Sequence, residues 1–137
     1  MQKTQLAMIV RLFSPEEAIA QLPSLKPLLA SLREAFHAYR FAKAQVDEIE
    51  AMGGDEEERA RWEREARDLG AAVEGIVRSI GELGADVKDP LLGLVDFYHR
   101  CGDGSIVLLC FRDDEETIRF WHGLDTGFAG RRPLGEL

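Results

Sequence analysis

The residues best able to do chemistry lie in the last third of the chain, set among apolar and glycine neighbours. Asp96 stands between Val95 and Phe97 in the run GLVDFYHR. A carboxylate there must face water or find partners, because an unpaired one is costly to bury. With partners it could hold a ligand or move a proton. On an exposed strand face, or anchoring loop amides, it has a structural account instead. His122 follows Trp121; it could act as a general base, or it could bond to backbone or to Asp125. Trp121 could stack on a flat ligand. Arg131 and Arg132 follow the run GFAG. Glycines let backbone approach a ligand, and a guanidinium fork binds phosphate or carboxylate. The competing account is a terminal loop tied by ion pairs to a chain with 25 acidic residues. Asp96, Trp121, His122, Arg131 and Arg132 are therefore the candidates for a site that takes a small anionic ligand. Neither a reaction nor a cofactor follows from these residues alone.

Other chemistries find less support. His99 is three residues beyond Asp96, so on a strand the two side chains point to opposite faces and cannot share a metal ion without a bulge. Three scattered histidines and two cysteines, without a CxxC or HxxxH spacing, lead us to expect no metal site. Cys110 falls inside the apolar run SIVLLCF and is expected to be buried and inert; Cys101, beside a turn, is expected to be the more exposed thiol. Neither has an activating neighbour in sequence, and no nucleophile elbow is present for a serine mechanism. The net charge is −8, divided as +2 over residues 1–13, −6 over 14–83 and −4 over 84–137. No segment supplies a basic stripe, which argues against nucleic acid and against an anionic membrane surface. No apolar run reaches the length of a span, and the expected location is the cytoplasm, with reduced thiols.

The elements that must position these residues follow from rhythm. The length of 137 residues suits one domain, with a helical part over 1–84 and a sheet part over 85–137. Residues 7–13 (AMIVRLF) read as a first strand. Ser14-Pro15-Glu16-Glu17 is a capping box with proline at the first helical position, and Pro23 keeps that helix short. From Pro23, Leu25, Leu29, Leu32, Phe36 and Tyr39 step by 4 and 3, predicting a helix of roughly 28 residues, about 42 Å long. Gly53-Gly54 ends it, and Asp55 with Glu58 forms a second capping box. Trp62, Ala66, Leu69, Val73, Ile76, Ile80 and Leu83 then keep heptad spacing, until Gly84 closes the helix. Gly70, Gly75 and Gly81 inside it suggest close packing. After Gly84 the period becomes two. Val87–Pro90 reads as an extended stretch and turn. Residues 93–100 and 105–111 read as strands about Gly102-Asp103-Gly104. Residues 117–124 read as a third strand, with a helical turn as the alternative. The expected class is α+β, a long antiparallel helical hairpin packed on a small antiparallel sheet of three to four strands.

The text VKDP at 87–90, GLVDF at 93–97, LC at 109–110, WH at 121–122 and GFAGRRPL at 127–134 resembles a family of uncharacterised bacterial proteins, domain of unknown function 2203. The opening FSPEEAIAQLPSLKPLL at 13–29 is also similar to that family. Phe111 stands where the family usually has tryptophan. The resemblance implies the layout above and carries no activity.

Geometry also suggests a partner. Strands of six or seven residues span only about 20–23 Å, roughly half the length of the hairpin. The uncovered apolar stripe needs another surface, and a second copy of the chain is the simplest source. The expectation is therefore a non-enzymatic interaction module that forms a homodimer through the hairpin.

Overall fold

The computed structural model describes residues 10–137. Helix α1, Pro15–Ala20, opens as its sequence dictates. The Ser14 hydroxyl accepts from the Glu17 amide at 3.1 Å, and the Glu17 carboxylate accepts from the Ser14 amide at 2.8 Å. One residue later α2 runs from Leu22 to Met52. Gly53 ends it at φ 70°, where its amide bonds back to the Ile49 carbonyl, a left-handed closure that suits glycine. Helix α3, Glu56–Glu82, is capped by the Asp55 carboxylate, which accepts from the Glu57 amide. That bond falls one residue short of the box expected with Glu58. The two long helices pack antiparallel, as their apolar spacing requires.

The chain then enters a sheet of strands β1 (Asp86–Asp89), β2 (Leu94–Arg100), β3 (Ile106–Arg112), β4 (Phe120–His122) and β5 (Arg132–Pro133). They lie in sequence order and every neighbouring pair is antiparallel. The α+β expectation stands, but among the described residues the sheet has five strands rather than three to four. The extra strands are short, and the two-residue β5 contains a proline, so neither carries the alternation that announces a strand. Residues 117–124 contribute strand only over Phe120–His122, and no helical turn forms there. Of the first strand expected over 7–13, residues 7–9 lie outside the described residues. Residues 10–13 belong to no strand or helix and are joined to β2 by one backbone bond, from the Phe13 amide to the Tyr98 carbonyl at 2.8 Å.

Alternation in the central strands sets the layers. Val95 and Phe97 of β2, with Leu109 and Phe111 of β3, point at the helices and join Leu22, Leu25, Leu29, Leu32 and Ile80 in one core. Phe13 enters the same core edge-on to Phe97, with ring centroids 5.0 Å apart. Arg33 fastens the hairpin to the sheet, donating to the Leu91 carbonyl and pairing with Asp113. Among the described residues, no α-helix packs on the other face of the sheet.

Two consequences of the packing are measurable. Of the three glycines inside α3, only Gly70 meets a neighbour, the Tyr39 ring at 3.3 Å from a built Cβ; around Gly75 and Gly81 nothing lies within 4 Å. The close packing expected from sequence therefore holds at Gly70 alone. Gly75→Ala should stabilise the fold by about 0.8–1 kcal/mol through helix propensity. Gly84 has φ +95°, and a Cβ there would sit 2.1 Å from the Phe13 ring. Gly84→Ala should therefore destabilise, and urea unfolding of the two variants should move in opposite directions.

Candidate functional site

The outer face of the sheet, away from the helices, brings three buried side chains together. In the β2–β3 register Asp96 lies opposite Cys110, and in the β3–β4 register Leu108 lies opposite His122. Residues two apart on a strand share a face, so Asp96, Cys110, Leu108 and His122 all project outward from three adjacent strands. The carboxylate, sulfur and imidazole donor atoms lie within 4.8 Å of one another. Asp96 is 1% exposed and His122 4%, and Cys110 is fully buried. Both polar residues thus sit beneath the surface rather than on the wall of an open cleft.

Hydrogen bonding fixes the histidine tautomer. His122 Nδ1 lies 2.8 Å from the Gly123 carbonyl oxygen, which only accepts, so Nδ1 carries a hydrogen. Nε2 then faces both Asp96 oxygens, at 3.1 and 3.2 Å. Without a metal ion, one proton must lie between the imidazole and the carboxylate. Burial pushes the Asp96 carboxyl above its ordinary range, while His122 and the Cys110 thiol pull it back. Burial, and secondarily the Asp96 charge, push the Cys110 thiol up to about 12. As a bare thiol it stays protonated at neutral pH and is no nucleophile.

Of the remaining sequence candidates, Trp121 and Arg132 are placed apart from this cluster, and Arg131 lies beside it. Trp121 points to the opposite face, packs against the core, and donates Nε1–H to the Pro133 carbonyl at 3.0 Å. Arg131 lies on the outer side, 4.2 Å from the Phe120 ring centroid and 4.6 Å from that of Phe128. It pairs with Glu115 at 2.7 Å, their side chains 11% and 13% exposed, and donates to the Cys110 carbonyl. Its Nε is buried without an acceptor. Arg132 is more exposed and pairs with Glu136 of its own tail. The structure thus unites Asp96 with His122 but separates both from Trp121. It also makes Arg131 a clamp that holds the C-terminal loop against the β3–β4 turn. His99 is held elsewhere, its Nδ1 2.7 Å from the Phe13 carbonyl.

Cys110 is the member that sequence reasoning set aside. A signal for it exists. A five-residue hairpin connection that pairs Arg100 with Ile106 necessarily places Asp96 opposite Cys110. Sequence spacing alone, 14 and 26 residues from Asp96, shows nothing of that meeting.

Breaking the buried pair from one side should be severe. Asp96→Ala, measured with chelator present, is expected to cost about 3–5 kcal/mol by leaving the His122 polar edge unpaired. The double replacement Asp96→Leu with His122→Leu should cost less than the sum of the single replacements. Denaturant unfolding of the full cycle reads both values.

No curated protein and no solved structure matches the chain. A family described as an uncharacterised conserved protein, DUF2203, matches it over residues 11–134, nearly the whole length and including Asp96, Cys110 and His122. The chain belongs to that family, the one its C-terminal motifs resemble.

Proposed function

We propose that the chain is an interaction module that pairs with a second copy of itself through the distal half of the helical hairpin. The observation that supports this reading is the mismatch between hairpin and sheet. Helix α2 has 31 residues, about 46 Å, whereas β2 and β3 have seven each, about 23 Å. The core takes α2 only from Leu22 to Leu32 and α3 only from Val73 to Leu83. Beyond that, the two helices form an arm that buries Ala42, Val46 and Ala66 between them. Phe41 remains 57% exposed and Met52 79%, and Phe41 leans edge-on against Trp62.

Two helices make one layer, and a stable layer needs another to cover its apolar stripe. A second arm supplies it in the form of a four-helix bundle, by a two-fold operation that uses the same patch twice. Charge selects the antiparallel arrangement. Seven acids and no lysine or arginine lie between Asp47 and Glu58 at the tip, and like charges brought side by side repel. An antiparallel pair keeps the two tips apart. No helix among the described residues is long and apolar enough to cross a membrane.

The second expectation, a small anionic ligand at Asp96, Trp121, His122, Arg131 and Arg132, has less support. Glu115 already neutralises Arg131, and Trp121 faces the core.

Light scattering at micromolar concentration should give twice the chain mass. Phe41→Glu should halve it while circular dichroism keeps the helical signal. A wild-type monomer, or a Phe41→Glu dimer, would remove the proposal.

A further inference from the structure

Most charged clusters among the described residues explain themselves. Arg59 lies among Glu50, Glu56 and Glu63, on the surface of the arm, and Arg131 is spent on Glu115. The group on the outer sheet face is different. Beside the Asp96–His122 pair stands Cys110, a third donor of a different type, buried on the strand between them.

We propose that Asp96, Cys110 and His122 together bind one divalent transition-metal ion, zinc being the ion their donor set suits, through a carboxylate oxygen, the thiolate sulfur and imidazole Nε2.

Four observations converge on this. The donor types are those zinc takes, and a thiolate discriminates against magnesium and calcium. The spacing is close to what an ion requires. Tetrahedral bonds of about 2.0–2.3 Å set donor atoms about 3.3–3.8 Å apart; the imidazole and carboxylate already stand 3.1 Å apart, and all three donors fall within 4.8 Å. The histidine is oriented as a ligand, since Nδ1–H is spent on the Gly123 carbonyl and Nε2 is aimed at the cluster. A ligating histidine characteristically donates its other N–H in this way, which fixes tautomer and ring angle. Finally, the three residues sit on three adjacent strands of one sheet, so backbone pairing rather than loop closure holds them in place.

The charge balance suits a buried site. Without metal the cluster holds one proton between Asp96 and His122 and a second on the Cys110 sulfur, and its net charge is zero. The ion enters with two positive charges, both protons leave to solvent, and the net charge is again zero. Three protein ligands leave one position of a tetrahedral ion for an exogenous ligand.

Cobalt(II) is the probe, added to full-length protein freed of metal by chelator and kept reduced. One equivalent should produce a thiolate-to-cobalt charge-transfer band, which zinc then bleaches by displacement. Cys110→Ser should abolish the band and weaken cobalt binding at least about 10-fold, whereas Cys101→Ser should keep both. Absence of the band in the wild type, its survival in Cys110→Ser, or its loss in a folded Cys101→Ser protein would overturn the proposal. If Cys110→Ser does not fold, the wild type decides. Zinc-edge X-ray absorption of the loaded protein should require one sulfur neighbour with nitrogen and oxygen completing the shell. A fit with no sulfur, or with two, would overturn the assignment.

Discussion

The contact between His122 and Asp96 is the constraint around which the outer half of the domain is arranged. Placing a carboxylate at 1% exposure is tolerable only with a partner at hydrogen-bond distance, and the imidazole is that partner. The contact holds only if β2, β3 and β4 keep their register. A slip of one residue would turn Asp96 toward the helices and Val95 or Phe97 away from them. One polar interaction on the outer face and the packing of four apolar side chains on the inner face therefore demand the same alignment. Neither alone would specify it as firmly.

The inner face explains the remainder of the fold. Val95, Phe97, Leu109 and Phe111 need a cover, and the base of the hairpin provides it through leucines spaced by 3 and 4. The sheet is too short to reach the tip, so the distal helices are left as an arm on which Phe41 and Met52 are exposed. The domain thus has two distinct surfaces with unsatisfied potential. The arm is an apolar stripe one layer thick. The outer sheet face carries a compact group of oxygen, sulfur and nitrogen donors, with the Arg131–Glu115 pair beside it at the Cys110 carbonyl.

Much of this was legible in the chain. The capping box at Ser14, the glycine break at 53 and 54, and the heptad from Trp62 to Leu83 act over a few residues, and local physics decides them. The change from helical to pleated rhythm at Gly84 placed the sheet. What escaped depended on pairing at a distance. Strands β1 and β5 owe their existence to neighbours rather than to their own composition. Residues 10–13 make a single backbone bond to β2, so their β-branched text overstates their structure. Gly75 and Gly81 have open space beside them, because nothing but the helix's own surface lies there. The cluster was half visible. Asp96 and His122 stand out as polar residues in apolar runs, but Cys110 is disguised as core until the hairpin register sets it opposite Asp96. Trp121 was drawn in by adjacency to His122, although neighbours on a strand face opposite ways.

The most direct measurement is anomalous scattering at the zinc edge from crystals of the full chain grown with zinc. A single strong peak is expected on the outer face of the sheet, bonded to Asp96 Oδ, Cys110 Sγ and His122 Nε2, with the Gly123 carbonyl still holding Nδ1. Zinc bound elsewhere, or a structure in which those three side chains do not meet, would contradict the account.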